Sequence, residues 1–335
     1  MPSSASRVAV VGAGLAGLSA ARSLVAKGVR VTVFEKSRAP GGRAATRQHE
    51  AYHFDHGAQY FTQRDLRTAA QLRDWADRGI VAPWNGRIAA RDDGVWRESR
   101  DTVTRWVAVP GMRTLGVELA HSLDVRYDTT VRLLERSERT WRVVGDAHTL
   151  LGEFDNVLVT APAPQTHALL APHAPSFTDA LARVELRPCI AAMIVLERRP
   201  DVWWDAAFVN DDTVLSWVAR NASKPGRDDA ECWVLHATSA WSAAHLESDA
   251  TVLVPLMLDA FTRVIGESLP SRYATAHRWR YAIPADQTGS LGEEALYDPA
   301  TGLAAAGDWC VGGRVEGALV SGMAAADLIC PVLCS

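Results

Sequence analysis

Three glycines, a carboxylate and a guanidinium near the start of the chain are the residue types that bind a dinucleotide. Gly12, Gly14 and Gly17 sit in Val8-Ala-Val-Val-Gly12-Ala13-Gly14-Leu15-Ala16-Gly17. In that spacing Gly12 permits a tight turn, Gly14 lets backbone N–H groups approach a pyrophosphate, and Gly17 lets a helix pack closely on a strand. A helix opening at Leu15 and Ala16 would aim its partial positive charge at the phosphates. Glu35 ends the next apolar run, Val29 to Phe34. Its carboxylate can accept hydrogen bonds from both ribose hydroxyls of an adenosine, and Lys36 beside it is grouped with the same end of the ligand.

Two further segments favour FAD over NAD. Gly41-Gly42-Arg43 follows soon after the acidic residue. A glycine pair brings backbone against a ligand, and the arginine can neutralise pyrophosphate charge. Far along the chain stand Gly307-Asp308 and then Gly312-Gly313-Arg314-Val315-Glu316-Gly317. Asp308 can hold a ribityl hydroxyl. A helix opening at Val315 to Gly317 can face the N1–C2=O side of a flavin, where its dipole favours the reduced anion. One cofactor would thus bring both ends of the chain together. Val131 is expected to offer backbone hydrogen bonds to adenine, and Gly57, Ala58, Gln59 and Tyr60 to pass beside the flavin ring.

The elements that must position these residues read as an α/β protein. A Rossmann-like FAD-binding domain is expected from separated segments, 1–62, 105–165 and 285–330. Thr130 to Glu135, Trp141 to Val144 and Phe154 to Thr160 read as strands, the last apolar on consecutive positions as in a buried parallel strand. Residues 63–104 and 166–284 are expected to form a second, mainly antiparallel α+β substrate domain. Strand-like stretches there (Ala206 to Val209, Val214 to Arg220, Glu231 to Thr238, Ala276 to Tyr281) are rich in valine and tryptophan and separated by Asn-Asp-Asp and Lys-Pro-Gly-Arg turns. Helices are expected over Ala240 to Leu246 and Ser248 to Gly266, and residues 331–335 as a tail.

At this level the chain resembles the two-dinucleotide-binding-domain flavoproteins, which include monoamine oxidases and phytoene desaturases, with an amine oxidase-like or p-hydroxybenzoate hydroxylase-like topology. The narrower resemblance is to the renalase-type subgroup. It is carried by Phe54-Asp55-His56-Gly57-Ala58-Gln59-Tyr60-Phe61-Thr62, Ala192-Met193, Asn221-Ala-Ser-Lys224-Pro225-Gly226-Arg227, His277-Arg278-Trp279-Arg280-Tyr281-Ala282 and Gly307-Asp308-Trp309-Cys310. The resemblance implies an oxidase that takes a hydride from 2- or 6-dihydroNAD(P), returns NAD(P)+ and passes the electrons to O2 as hydrogen peroxide. An amine or polyamine oxidase is the alternative, and a flavin-free binding protein of related fold a second. Arg314 stands where amine oxidases carry one wall of an aromatic substrate cage, which counts against amines. No cysteine lies between Arg278 and Gly302, which suggests noncovalent FAD.

Oxidising a dihydropyridine to an aromatic pyridinium needs orientation and stacking, with no strong general base. In agreement, the chain carries no Ser/His/Asp set and no His/Cys spacing suited to a metal, and no residue stands out as a catalytic acid or base. Substrate-facing candidates are Gln59, Tyr60, Trp217, Asn221, His236, Trp279, Arg280 and Arg314. Trp279 and Arg280 point to opposite faces of a strand, so at most one enters the site. Trp217 and Asn221 share a face if their strand stays regular. His236 and Tyr60 serve equally well as hydrogen-bonded core residues.

The 335 residues are 48% hydrophobic with a net charge of −4, so nothing electrostatic draws the chain to nucleic acid or an anionic membrane. No apolar run approaches the ~20 residues that span a bilayer. Five cysteines without paired spacing suggest free thiols in a cytoplasmic enzyme, with Cys330 and Cys334 in a fraying tail.

Overall fold

The computed structural model describes residues 6–99, 101–285 and 291–333. Val8 to Val11 are buried on consecutive positions, as a strand covered on both faces must be. This strand, β1 (Arg7–Val11), is central in a six-stranded sheet. Helix α1 (Leu15–Ala26) leads from it to β2 (Arg30–Phe34), which pairs with β1 in parallel and places Val11 beside Phe34. Asp124–Arg126 adds to β2, and Asn156–Val159 and then Leu303–Ala305 extend the other side, all parallel. Leu296–Asp298 closes that edge as this sheet's one antiparallel strand among the described residues.

The last helix, Val315–Leu333, lies along α1. The Ser19 hydroxyl in α1 donates to the Leu319 carbonyl at 2.8 Å, so the two ends of the chain share one buried seam. Cys330 is buried in this helix, not in a frayed tail, because the apolar helical pattern continues to Leu333. Cys334 lies outside the described residues. No helix among them is long and apolar enough to cross a membrane.

The second sheet has seven strands, in the order Ser271–Pro284, Leu186–Leu196, Cys232–Ala237, Leu215–Arg220, Ala206–Val209, Ile88–Asp92, Val95–Glu98. Its pairings are antiparallel except Ala206–Val209 against Ile88–Asp92. Period-two alternation divides its side chains between two cores. Ile190, Ala192, Ile194, Trp233 and Leu235 pack under the helix Ala250–Ile265 with Met257 and Phe261. Met193, Val195, Cys232 and Val234 face the other way onto Phe54. That second face packs the sheet against the hairpin Thr46–His49/Tyr52–Asp55, which leads into the loop Gly57–Tyr60.

Leu133–Ser137, Thr140–Val144 and Leu150–Phe154 make a separate three-stranded sheet. The first begins three residues later than the pattern suggests. Val131 therefore precedes the strand, although it is buried.

Candidate functional site

The β1–α1 turn has the geometry of a phosphate-binding loop. Gly12 takes φ +109°, and a Cβ on Gly17 would stand 2.0 Å from the Gly12 carbonyl oxygen, so this turn requires glycine at both ends. A Cβ on Gly14 would meet nothing within 4 Å, so that edge of the turn is open. α1 has no side-chain cap and no acidic residue in its first turn. Its positive end is left to an anionic ligand. Glu35 is buried, and both its oxygens are anchored: Ala13 N–H donates to Oε2 at 2.7 Å and Ser37 N–H to Oε1 at 2.8 Å. Each oxygen keeps lone pairs for a ribose hydroxyl. Lys36 is exposed beside it.

The Gly41–Arg43 segment is joined to this turn by Gly41 N–H donating to the Ala13 carbonyl at 2.9 Å. Arg43 then spans the cleft. Its Nη2 reaches Asp308 Oδ1 at 2.5 Å and its Nη1 the Ala282 carbonyl at 3.0 Å. Asp308 follows the Leu303–Ala305 strand and is 7% exposed. The open glycine edge, the uncapped helix, the anchored carboxylate and this ion pair fit FAD. Glu35 would hold its adenosine, the α1 amides its pyrophosphate, and Arg43 with Asp308 its middle.

Gly57, Ala58, Gln59 and Tyr60 run past this cleft. Ala58 N–H donates to the Arg43 carbonyl at 2.9 Å, and a Cβ on Gly57 would stand 1.9 Å from the same oxygen. The loop is held from behind by a buried charge cluster that the spacing of residues did not reveal. Asp55 Oδ1 accepts from the Thr46 hydroxyl (2.7 Å) and the Met112 N–H (2.9 Å); Oδ2 accepts from Arg227 (2.5 Å) and Lys224 (3.4 Å). Lys224 Nζ also donates to Gln59 Oε1 at 3.1 Å and Asn221 Oδ1 at 3.2 Å. Gln59 in turn donates to the Asp55 carbonyl, and Asn221 to the His53 carbonyl at 2.8 Å.

Burial pulls the Asp55 carboxyl upward, but the Lys224 and Arg227 charges and the hydrogen bonds from Arg227 and Met112 hold it below the ordinary carboxylate range. Burial pushes the Lys224 ammonium down to about 8 against the attraction of Asp55. Asp55, Lys224 and Arg227 all lie in segments that carry the family resemblance. The Lys224-Pro225-Gly226-Arg227 turn between two strand-like stretches was the available signal.

An aromatic cluster stands next to the loop. Tyr60 lies 6.1 Å from Trp84 and 5.9 Å from Trp217, ring centre to ring centre, and Phe208 meets Trp217 at 4.6 Å. Two cations sit over these rings, Arg105 at 5.4 Å from Tyr60 and Lys224 at 5.4 Å from Trp84. The indole N–H of Trp217 and the Nε of Arg105 are buried without a hydrogen-bond partner. Asn221 does not extend the Trp217 face, because the strand ends at Arg220 and Asn221 begins a 3₁₀ turn.

On the other side of the loop, Trp279 stacks on His56 at 5.1 Å and its indole N–H donates to the His56 carbonyl at 2.9 Å. His236 Nε2 contacts the same carbonyl at 3.2 Å, and His277 meets His56 edge-on at 4.9 Å. Burial lowers His56 to about 3 and His236 to about 4. His277 is lowered by burial and then by Arg47 and Arg278. All three rings are neutral at pH 7. Arg280 points outward and pairs with Glu247 at 2.8 Å, so of the two neighbours only Trp279 touches the cofactor loop. Arg314 is exposed just before the last helix.

That helix opens at Val315, with Gly317 buried in its first turn. Glu316 between them is also buried, and its carboxylate turns to the start of α2 (Leu66–Asp77). It accepts Arg64 N–H at 2.9 Å, Asp65 N–H at 2.8 Å and the Thr68 hydroxyl at 2.8 Å. No group of three His, Cys, Asp or Glu among the described residues could hold a metal ion.

Comparison with known proteins agrees with this geometry. Residues 10–77 match the NAD(P)-binding Rossmann-like domain family, and residues 93–330 match the family of flavin containing amine oxidoreductases. A phytoene dehydrogenase of Streptomyces griseus is 49% identical over 59 residues, which span 18% of this chain but only 12% of that relative. Cyclohexylamine oxidase from Brevibacterium oxydans IH-35A superposes with a TM-score of 0.77 at 14% identity, over 99% of this chain and 100% of that one. A proposed protoporphyrinogen oxidase of Exiguobacterium sp. 255-15 gives 0.79 at 15% identity, over 98% and 99%. At these identities the structural likeness speaks to the fold.

Proposed function

The chain belongs to the family of flavin containing amine oxidoreductases, and we propose that within it this enzyme is a renalase-type oxidase of isomeric dihydronicotinamides. Its substrate is 2- or 6-dihydroNAD(P), its products NAD(P)+ and hydrogen peroxide, and its FAD is bound noncovalently in the cleft of Glu35, Arg43 and Asp308. When bound, the flavin supplies the hydride acceptor at N5, and O2 carries the two electrons away. Loss of hydride from C2 or C6 makes the substrate ring an aromatic pyridinium directly, so no side chain has to remove a proton. The chain's part is to stack the ring, orient it and keep water out. Tyr60, Trp84 and Trp217 provide the stacking faces, and the neutral His56 and His236 sit behind the loop without adding charge.

One observation carries this reading: the buried charge around the cofactor loop is cationic. Lys224, Arg227 and Arg105 outnumber the buried carboxylates there, Asp55 and Glu316, whose oxygens already accept four and three donors. Asp101, which pairs with Arg105 at 3.3 Å, lies at the rim and is 44% exposed. An alkylammonium substrate would enter a site of its own sign, whereas a dinucleotide carrying phosphates meets the opposite one. Three buried thiols, Cys189, Cys232 and Cys310, support a reducing compartment such as the cytoplasm.

The test is anaerobic mixing of the yellow protein with 2- and 6-dihydroNAD(P), and separately with cyclohexylamine and putrescine. Bleaching near 450 nm within seconds by the dihydronicotinamides alone supports the reading. Bleaching by the amines alone replaces it with an amine oxidase.

A further inference from the structure

We infer that Glu316 is a positioning residue that pins the cofactor loop to the last helix and, through its buried charge, lowers the reduction potential of the bound flavin. The inference rests on the family's flavin and is independent of which substrate reduces it.

The geometry has two parts. The segment that leaves Tyr60 runs into Arg64 and Asp65, where α2 begins. The amides that lead into and open this helix have no intrahelical acceptors. Asp65 caps one of them through its own side chain, accepting Arg67 N–H at 2.9 Å. Glu316 takes the Arg64 and Asp65 amides and the Thr68 hydroxyl from another element altogether, 251 positions away in the case of Asp65. The cofactor loop is thereby closed at both ends. Ala58 is tied to Arg43 at one end and Arg64–Thr68 to the first turn of the last helix at the other.

The second part is electrostatic. The last helix runs for 19 residues from Val315, and its dipole places partial positive charge at that end. Glu316 places a carboxylate in that first turn, 8% exposed, with its hydrogen bonds turned to α2. Salt screens a charge so buried only weakly, and it offsets the partial charge of the helix end. The site then stabilises the reduced flavin anion less than a bare helix terminus would. A lower potential favours handing electrons to O2, which suits an oxidase.

The experiment uses purified holoprotein, with the flavin midpoint potential read against a reference dye during slow chemical reduction, so that no substrate is involved. Glu316→Gln keeps an oxygen acceptor and removes the charge. It should move the potential to a more positive value and slow reoxidation by O2, while Glu316→Asp should restore the wild-type potential. A folded, yellow Glu316→Gln protein with an unchanged potential overturns the electrostatic claim. If that variant does not load flavin, Thr68→Val removes the hydroxyl shared between Glu316 and the Asp65 carbonyl and leaves the charge in place. It should speed FAD release several-fold, and an unchanged release rate overturns the pinning.

Discussion

Arg43 and Asp308 lie 265 positions apart in sequence and meet across the nucleotide cleft at 2.5 Å. One follows the glycine pair after β2 and the other follows the strand Leu303–Ala305, so the contact joins the two sides of the six-stranded sheet across the ends of β1 and Asn156–Val159. Asp308→Ala should leave the guanidinium with the Ala282 carbonyl alone and remove the proposed ribityl acceptor. We expect FAD affinity to fall about 10- to 100-fold, equivalent to roughly 1.4–2.8 kcal/mol. Fluorescence titration of apoprotein with FAD checks it, and unchanged affinity would remove Asp308 from the cofactor site.

Glu35 is expected to act at the other end of the same ligand. Glu35→Ala removes a charged acceptor for the ribose hydroxyls and also frees the Ala13 and Ser37 amides. The loss in FAD binding should be about 1.5–3 kcal/mol. The same titration with FMN, which lacks the adenosine, should show no difference between variant and wild type.

The Asp55 cluster makes a claim about stability. Removing one partner of a buried ion pair costs about 3–5 kcal/mol, because the remaining charge stays buried. Arg227→Met should therefore lower the thermal midpoint by several degrees, read by calorimetry at fixed FAD concentration. Lys224→Met should cost less. Asp55 retains Arg227, Thr46 and Met112, and the methionine no longer has to bury an ammonium that burial already weakens.

Acid should destabilise the protein through its histidines. His56 and His236 take up protons near 3 and near 4 in the fold but near 6.5 when unfolded. Between those values the unfolded chain binds more protons, so stability falls as pH drops from about 6.5 toward 4, by on the order of a few kcal/mol. Lys224 works in the alkaline range. Its proton leaves near 8 in the fold and near 10.5 in the unfolded chain, so its contribution to stability rises with pH across that window. Urea titrations of His236→Gln at pH 7 and pH 5 test the first claim. The variant should lose less stability between the two pH values than wild type does.

Tyr60→Ala should slow flavin reduction by substrate at least tenfold while leaving FAD affinity within about twofold, since Tyr60 stands in the aromatic cluster. Stopped-flow absorbance separates the two quantities.

The Rossmann-like unit of residues 10–77 was legible in the sequence because its glycine turn is local. Gly12, Gly14 and Gly17 specify a backbone path, and Glu35 follows at a distance set by one helix and one strand. Arg43 and Asp308 were recognisable singly, but their pairing depends on which strands become neighbours, and spacing does not encode that. Asp55, Lys224 and Arg227 were visible only as charged letters in two motifs. Their meeting is decided by the hairpin Tyr52–Asp55 packing against the seven-stranded sheet. Trp84, Arg105 and Glu316 escaped notice for the same reason. Arg280 entered the candidates through its neighbour Trp279, yet strand alternation sends it to Glu247 at the surface.

The seam between α1 and the last helix also has a consequence in time. Ser19 waits for Leu319, which a ribosome adds 300 residues later. Until then the glycine turn is a half-built shelf with its cover still untranslated, and the nascent chain has to keep α1's apolar side out of trouble. A complete cofactor cleft waits for that helix, and conditions that slow its docking should be felt first as colourless protein.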